Sequence, residues 1–431
     1  NEFIKQTNKV DKFIIILVFL FPLSLSISIF LSDLFASIMA IFVLFLVIGK
    51  KNREYFLQIK KFIYLFLAFY ILILFSLFFS ISFKDSFLPS FFYFRYFLFV
   101  LVIFYLLKKY SFMKSILLYS LSFTFLIIIL DSAKQFFFLE NFFNYKVNTL
   151  IGNTTFITSF FNEEKKLGSY LIRLSPFFLS LIFYFNKKRA ATYFLFIIGI
   201  LIFYTSERTA LFLYLILLFS YFLKTKNKFK FFLIAIFFLS ILMSFNDKLR
   251  YKYVTYSLKQ FGLISTEWNK NYDGVIRYYS KEHEDLSYTA LTIFRNNIFN
   301  GTGIKTFYRA CNELKSKNYK KINKNFLERK NQLKCSTHPH NTYFQILSDT
   351  GVFAFIIISF IFITVLVQNF KILCQKDKKN IEICFYFLNL GIILNLFPLI
   401  PSGNFFNNWL SLILFYPLGF WLYINNEYKK T

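Results

Sequence analysis

The stretch KKNREYFLQIKKFIYLFLAFYILILFSLFF, residues 50–79, decides how the rest of the chain is read. Its first part holds Lys50, Lys51, Arg53, Lys60 and Lys61; the run from Phe62 to Phe79 carries no charge at all. About 20 mostly apolar residues are enough to cross a bilayer as a helix. A Lys/Arg cluster beside such a run marks the cytoplasmic end. The same alternation recurs along the chain. Twelve apolar runs lie near 13–31, 35–49, 62–82, 92–107, 115–131, 169–186, 191–205, 209–223, 229–245, 351–370, 381–400 and 404–424.

Composition points the same way. Only 17% of the 431 residues are charged and 57% are hydrophobic, whereas soluble domains carry about 25% charged residues. Soluble and disordered classes are thereby excluded. Seven Pro and 12 Gly rule out collagen-like or linker character, and four Cys are too few for a disulfide scaffold. The formal net charge of +28 would suit a nucleic-acid partner if it were spread over one surface. It sits instead in short clusters between apolar runs, as membrane topology requires, so no nucleic-acid partner is expected.

The expectation is an all-α polytopic membrane protein with about twelve transmembrane helices. Basic clusters occupy alternate gaps: 50–61, KKYSFMK (108–114), NKKR (186–189), KTKNKFK (224–230), KILCQKDKK (371–379) and EYKK near the end. Both termini are then cytoplasmic. The first apolar run reads as a retained span rather than a leader. Residues 1–245 hold spans one to nine, with an outer segment near 132–168. Residues 246–350 form an outer, mainly helical insert between spans nine and ten. Residues 351–431 hold the last three spans and a cytoplasmic tail.

Reactive groups gather in the insert. All three histidines (His283, His338, His340) lie there, with five of the ten arginines and two of the four cysteines. In CSTHPHNTYFQILSDTGVFAF (335–355), Pro339 favours a helix start just after it, and Gly351 suits the helix end. His340 is then close to a helix N-terminus, whose dipole favours the neutral imidazole that a general base needs. The structural alternative is a histidine that merely caps the helix.

The hairpin YTSERTALFLYLIL (204–217) puts Glu207 and Arg208 at the outer surface. Arg208 either snorkels to headgroups or grips a phosphate in bidentate fashion. Arg95 and Arg173 lie inside apolar runs, where an ionised residue is a candidate for function. FNGTGIKTFYRAC (299–311) offers Gly301, Gly303 and Arg309, either as an anion-binding turn or as an ordinary one. Cys311 and Cys335 share the oxidising side and are expected to form a disulfide, closing a basic loop at 312–334. Cys374 and Cys384 lie near the reducing face. EHED (282–285) reads as a solvated charged patch, since sequence neighbours rarely converge on one ion; no metal or cofactor is expected.

Together these features resemble the O-antigen ligase family, which is related to the O-antigen polymerases. Its string H[NSQ]x9Gxx[GTY] is matched by His340, Asn341 and Gly351, with Ala354 departing at the last position. TSERTA is similar to the family's Ser-x-Arg-small motif at Ser206 and Arg208. The resemblance implies a GT-C-like, metal-independent glycosyltransferase at the periplasmic face of a bacterial inner membrane. Its donor would be a glycan on undecaprenyl diphosphate, its acceptor a hydroxyl of lipid A-core. By that resemblance His340 activates the acceptor and Arg208 holds the diphosphate, with Arg309 inferred as a second ligand. Arg95, Arg173, His338 and Asn341 are taken as substrate-binding candidates.

Three alternatives stand beside it. A polymerase would join lipid-linked repeat units, but its R-x10-G pattern is missing; Arg250 to Gly262 is one residue too long. A protein O-oligosaccharyltransferase shares the histidine string. A secondary transporter would favour internal repeats and mid-membrane polar residues, and neither is evident.

Overall fold

The computed structural model describes residues 7–48, 53–150, 154–225, 229–264, 276–277, 279–316, 333–375 and 379–430. Most of the basic loop, residues 317–332, lies outside them, as do parts of the clusters at 50–61, 224–230 and 371–379.

The described chain is almost wholly helical. Helices α1 (Lys9–Ile27), α2 (Ile29–Ile48) and α3 (Lys60–Phe78) are followed by α4 (Phe83–Phe91), α5 (Phe94–Lys109) and α6 (Met113–Phe138). Then come α7 (Leu167–Tyr184), α8 (Lys188–Tyr204), α9 (Arg208–Lys224) and α10 (Phe229–Phe245). The insert contributes α11 (Lys281–Asn296), α12 (Phe307–Lys315) and α13 (Thr342–Thr350). The chain closes with α14 (Val352–Cys374), α15 (Asn380–Asn395), α16 (Asn408–Phe415) and α17 (Leu418–Tyr428). One small antiparallel pair, β1 (Asn148–Leu150) and β2 (Thr154–Phe156), departs from the all-helical expectation. It sits in the 132–168 segment, where polar Thr and Asn replace the apolar run.

Seven described helices are long and apolar enough to cross a membrane, eight if Phe232–Phe245 and Asp247–Gln260, bent by 110°, count as one. The protein is therefore a polytopic helical membrane protein. The expectation of twelve spans goes further than helix length alone supports. Helices α8 and α9 have 17 residues each and α15 has 16. At ~1.5 Å per residue these reach about 24–26 Å, short of a core about 30 Å thick.

Boundaries also shift. Ser32–Leu34, expected as a gap, lie inside α2, because the flanking apolar residues carry the helix past them. Phe83–Phe91, expected as loop, is helical and continues into α5 as one apolar stretch, Phe83–Lys109. The last run is broken at Pro417, which ends α16 and opens α17, consistent with the backbone N–H that proline lacks.

The core is a single apolar cluster through the bundle. Residues Tyr96 to Leu107 of α5 are all buried, so α5 is surrounded by other helices. A second, smaller core holds the insert together: Leu286, Ala290 and Ile293 of α11 against Phe307, Ala310 and Leu314 of α12, with Phe344 of α13 packed on it. Leu286, Ala290 and Ile293 recur at helical spacing and give α11 one apolar stripe. That stripe fixes which way the first turn of α11 faces.

Candidate functional site

The local sequence determines where His340 points. Asn341 is the N-cap of α13, and its Oδ1 accepts from the N–H groups of Tyr343 (3.0 Å) and Phe344 (3.2 Å). Asparagine is among the best residues for this task. The alternative of a histidine that only caps the helix is thereby excluded. His340 adopts φ 54°, a left-handed conformation uncommon outside glycine. Its carbonyl accepts from the Ser402 N–H at 2.8 Å. The Asn341 amide donates to the Pro398 carbonyl at 2.8 Å, and Thr342 Oγ1 lies 3.0 Å from Ser402 Oγ. The segment before α16 thus clamps the His340 backbone from behind, while its ring contacts Ser336 Oγ at 3.5 Å through Nε2. Gly351 closes α13 at φ 82°, where a Cβ would come within 2.5 Å of the Phe299 carbonyl oxygen.

Three histidines converge there. The His338 and His340 rings are 4.1 Å apart between centroids, and His283 and His340 are 5.8 Å apart. The expected solvated patch at 282–285 is corrected in part. Glu282 pairs with Lys334 and Glu284 with Arg277, but His283 turns inward. Ser280, the N-cap of α11, sits 2.7 Å from His283 Nδ1. All three imidazoles are held below the usual histidine range. Burial is the main cause for each; the neighbouring His340 charge also lowers His338 and His283, and Arg208 lowers His283. His338 is pushed down to about 4. The cluster is therefore neutral near pH 7 and able to accept a proton.

Arg208 opens α9, with Glu207 as the N-cap residue. Its guanidinium donates to Ser257 Oγ (3.3 Å) and lies 4.9 Å from the Tyr256 ring centroid. Among the described residues it makes no ion pair. A cation at a helix N-terminus leaves the positive dipole uncompensated, a setting that attracts anions. Glu207 does not neutralise it. The Glu207 carboxylate accepts from the Gly168 (2.7 Å) and Ser169 (3.0 Å) N–H groups at the start of α7. Lost water pushes its pKa up to about 8 despite those two donors. Gly168 permits the close approach: a Cβ there would be 2.6 Å from Thr205 Oγ1 and 2.9 Å from Ala210 Cβ.

Two cavities flank the first turn of α9, and Thr209 lines both. One, of about 480 Å³, is mostly apolar; Arg208, Ser257 and Tyr279 stand beside Leu211, Phe212, Leu215, Met243, Leu399 and Ile400. The other, of about 630 Å³, is the more polar of the two and contains Lys165, Lys166, Arg173, Lys305, Glu207, Thr337 and His338 beside Ile172, Leu213 and Leu410. Tyr279 joins the apolar cavity to the histidines, its ring 5.0 Å from that of His283 and its hydroxyl 3.5 Å from Thr209 Oγ1.

The other candidates are distributed unevenly. Arg173 is buried in the wall of the polar cavity, donating to Ser169 Oγ (3.1 Å) and Asn395 Oδ1 (2.7 Å). Arg95 pairs with Asp33 at 2.8 Å and lines neither cavity. Arg309 donates to Asp85 on α4, is more than half exposed and also lines neither. Its contact docks α12 on the bundle instead. Cys311 and Cys335 are bonded, with Cα atoms 5.5 Å apart. The Gly301–Gly303 turn offers no free cradle. Thr302 and Gly303 N–H groups donate to the Ser348 and Asp349 carbonyls, and Gly301 donates to Asn297. Sequence reasoning passed over Glu207, Lys165, Lys166 and Lys305 as site residues and took His283 for solvated surface. The one usable signal was the apolar stripe of α11, because His283 at i−3 from Leu286 and i−7 from Ala290 lies on that same face.

A family model described as O-antigen ligase matches residues 193–359. The matched segment contains Arg208, the three histidines and Gly351. No curated protein matches the chain.

Proposed function

On the premise that the match over residues 193–359 assigns the chain to the O-antigen ligase family, we propose that it moves a glycan from undecaprenyl diphosphate to a hydroxyl of an acceptor sugar, lipid A-core in the family's usual sense. The observation that supports this reading is a neutral His340, joined through the His283 and Tyr279 rings to an apolar cavity whose wall holds Arg208 without an ion-pair partner among the described residues.

Chemically, the reaction needs a base and an anion sink. His340 takes the proton of the acceptor hydroxyl, and the oxygen attacks the anomeric carbon. The bond from that carbon to the diphosphate breaks. Negative charge then grows on undecaprenyl diphosphate, next to Arg208 and the open N–H groups of α9. A positioned base contributes about 10²–10⁴ in rate, and preorganised positive charge contributes a similar factor. The apolar cavity suits the first isoprene units of the donor lipid. No step needs a metal ion. In the same reading the chain spans the inner membrane twelve times in a GT-C-like arrangement, with both termini cytoplasmic and the insert periplasmic. The basic clusters at the far ends of the helices support that orientation.

The test is a strain lacking the protein. Long glycan should vanish from lipid A-core and accumulate on undecaprenyl diphosphate. A core capped by one repeat unit would make the protein a polymerase, and an unchanged profile would overturn both readings.

A further inference from the structure

The transferase reading accounts for the apolar cavity and leaves the polar one without a role. That cavity, about 630 Å³, is within the size range of small-ligand sites. Its charge is lopsided. Lys165, Lys166, Arg173 and Lys305 all line it, against one carboxylate, Glu207, which is already committed to the Gly168 and Ser169 N–H groups. Lys166 has Glu164 as a partner. Neither Lys165 nor Lys305 makes an ion pair among the described residues. Lost water draws both lysines below their ordinary range; at Lys165 the pull of Glu207 exceeds the repulsion of Arg208, and at Lys305 the repulsion of Arg95 exceeds the pull of Asp33. Four cations gathered around one void repel each other unless an anion enters.

The rest of the lining suits a sugar. Trp409 is in the wall, its ring 5.7 Å from Lys166 Nζ, which it helps to place. Asn404 and Asn407 use their side-chain oxygens inside the protein, on Gln345 and on the Phe406 and Trp409 N–H groups, which leaves their NH₂ donors for a ligand. The position suits an acceptor rather than the donor. His338 is in the wall, its ring tilted against that of His340 with centroids 4.1 Å apart, which brings the cavity to within one ring of the base. Arg208, by contrast, belongs to the apolar cavity on the far side of Thr209.

We propose that the polar cavity is an acceptor subsite that reads a negative charge, a phosphate or carboxylate carried by the acceptor saccharide, through Lys165, Lys166, Arg173 and Lys305. The proposal rests on the transferase reading for its acceptor role. It sets this anion site apart from the donor diphosphate site at Arg208.

The test uses the full chain in lipid nanodiscs, titrated with mannose 6-phosphate, glucuronate, neutral mannose and undecaprenyl diphosphate. One or both sugar anions should bind at least tenfold more tightly than mannose, and the stronger of the two names the charge. Lys165→Ala with Lys305→Ala should abolish that preference and leave undecaprenyl diphosphate binding unchanged. Lys165→Arg with Lys305→Arg should keep the preference, which separates lost charge from lost folding. Arg208→Ala should do the reverse of the alanine pair. Equal binding of mannose and both sugar anions would overturn the proposal. So would parallel loss of undecaprenyl diphosphate in the alanine pair, because the cavity would then hold the donor. Failure of glycan transfer in cells, with the anion preference intact, would remove the transferase reading and leave an anion site standing.

Discussion

The rings of His283 and His340 lie 5.8 Å apart between centroids, although one opens α11 and the other precedes α13. Ser280 holds His283 Nδ1 at 2.7 Å, so one ring nitrogen is occupied and the other is left for the site. If His283 helps to place the acceptor, His283→Ala should lower transfer by about tenfold, a fraction of the general-base factor. The loss should appear mainly in the apparent acceptor KM. A kcat loss as large as that of His340→Ala would instead make His283 a second base.

His340 and Asn341 are adjacent but should fail differently. His340→Ala should reduce transfer by about 10²–10⁴ with only a small change in thermal stability, since Asn341 and not the His340 ring caps α13. Asn341→Ala removes the cap of α13 and should cost about 1 kcal/mol of stability. Melting curves of the two variants in detergent, beside transfer rates, would separate them.

Acid should weaken the fold through His338. Its pKa is pushed down to about 4 by burial and by the neighbouring His340 charge, so the unfolded chain binds more protons below the ordinary value of 6.5. Stability is complete above that value and is lost as pH falls toward 4, by about 3 kcal/mol for such a shift. His338→Gln should flatten the dependence of Tm on pH between 6.5 and 4. Transfer itself should decline on the acid side below 6.5, where His340 begins to take up a proton.

Arg208 and Arg309 provide a contrast. Arg208→Ala should lower transfer by about 10²–10³, and Arg208→Lys should recover little of it, because an ammonium does not reproduce bidentate contact with a phosphate. Arg309 holds Asp85 at an exposed position. Its replacement by Ala should change stability little, because the pair is open to solvent, and leave donor binding intact. A loss of undecaprenyl diphosphate binding in the Arg309 variant would return it to the diphosphate site.

Gly351 is constrained twice, by φ 82° and by a Cβ position 2.5 Å from the Phe299 carbonyl oxygen. Gly351→Ala should destabilise the protein by about 1–3 kcal/mol, visible as a lower Tm. Misplacement of α14 against α13 should reduce transfer as well.

The membrane class, the apolar runs and the importance of 335–355 were all legible in the linear chain. Partition into a bilayer depends on runs of about 20 neighbours, and a helix cap depends on residues within four positions of it. Local rules therefore sufficed for Asn341, Gly351 and the approximate start of α13. Boundaries were less legible. Asp33 is drawn into α2 and pairs with Arg95 from α5, a contact between distant segments.

Charge roles were where sequence reasoning stopped. A cation's partner is set by whatever the fold brings beside it, so Arg309 on Asp85, Arg95 on Asp33 and the unpaired Arg208 could not be told apart in advance. His283 among acidic neighbours looked solvated, but it shares a face of α11 with Leu286, Ala290 and Ile293, and the small core those residues form carries it toward His340. By itself, then, the sequence determined a helical membrane protein with a histidine at the mouth of a capped helix, because those properties are local. Tertiary structure alone decided which cations stay unpaired, which histidines meet, and that a charged and a mainly apolar cavity share the first turn of α9, because packing between distant segments sets all three.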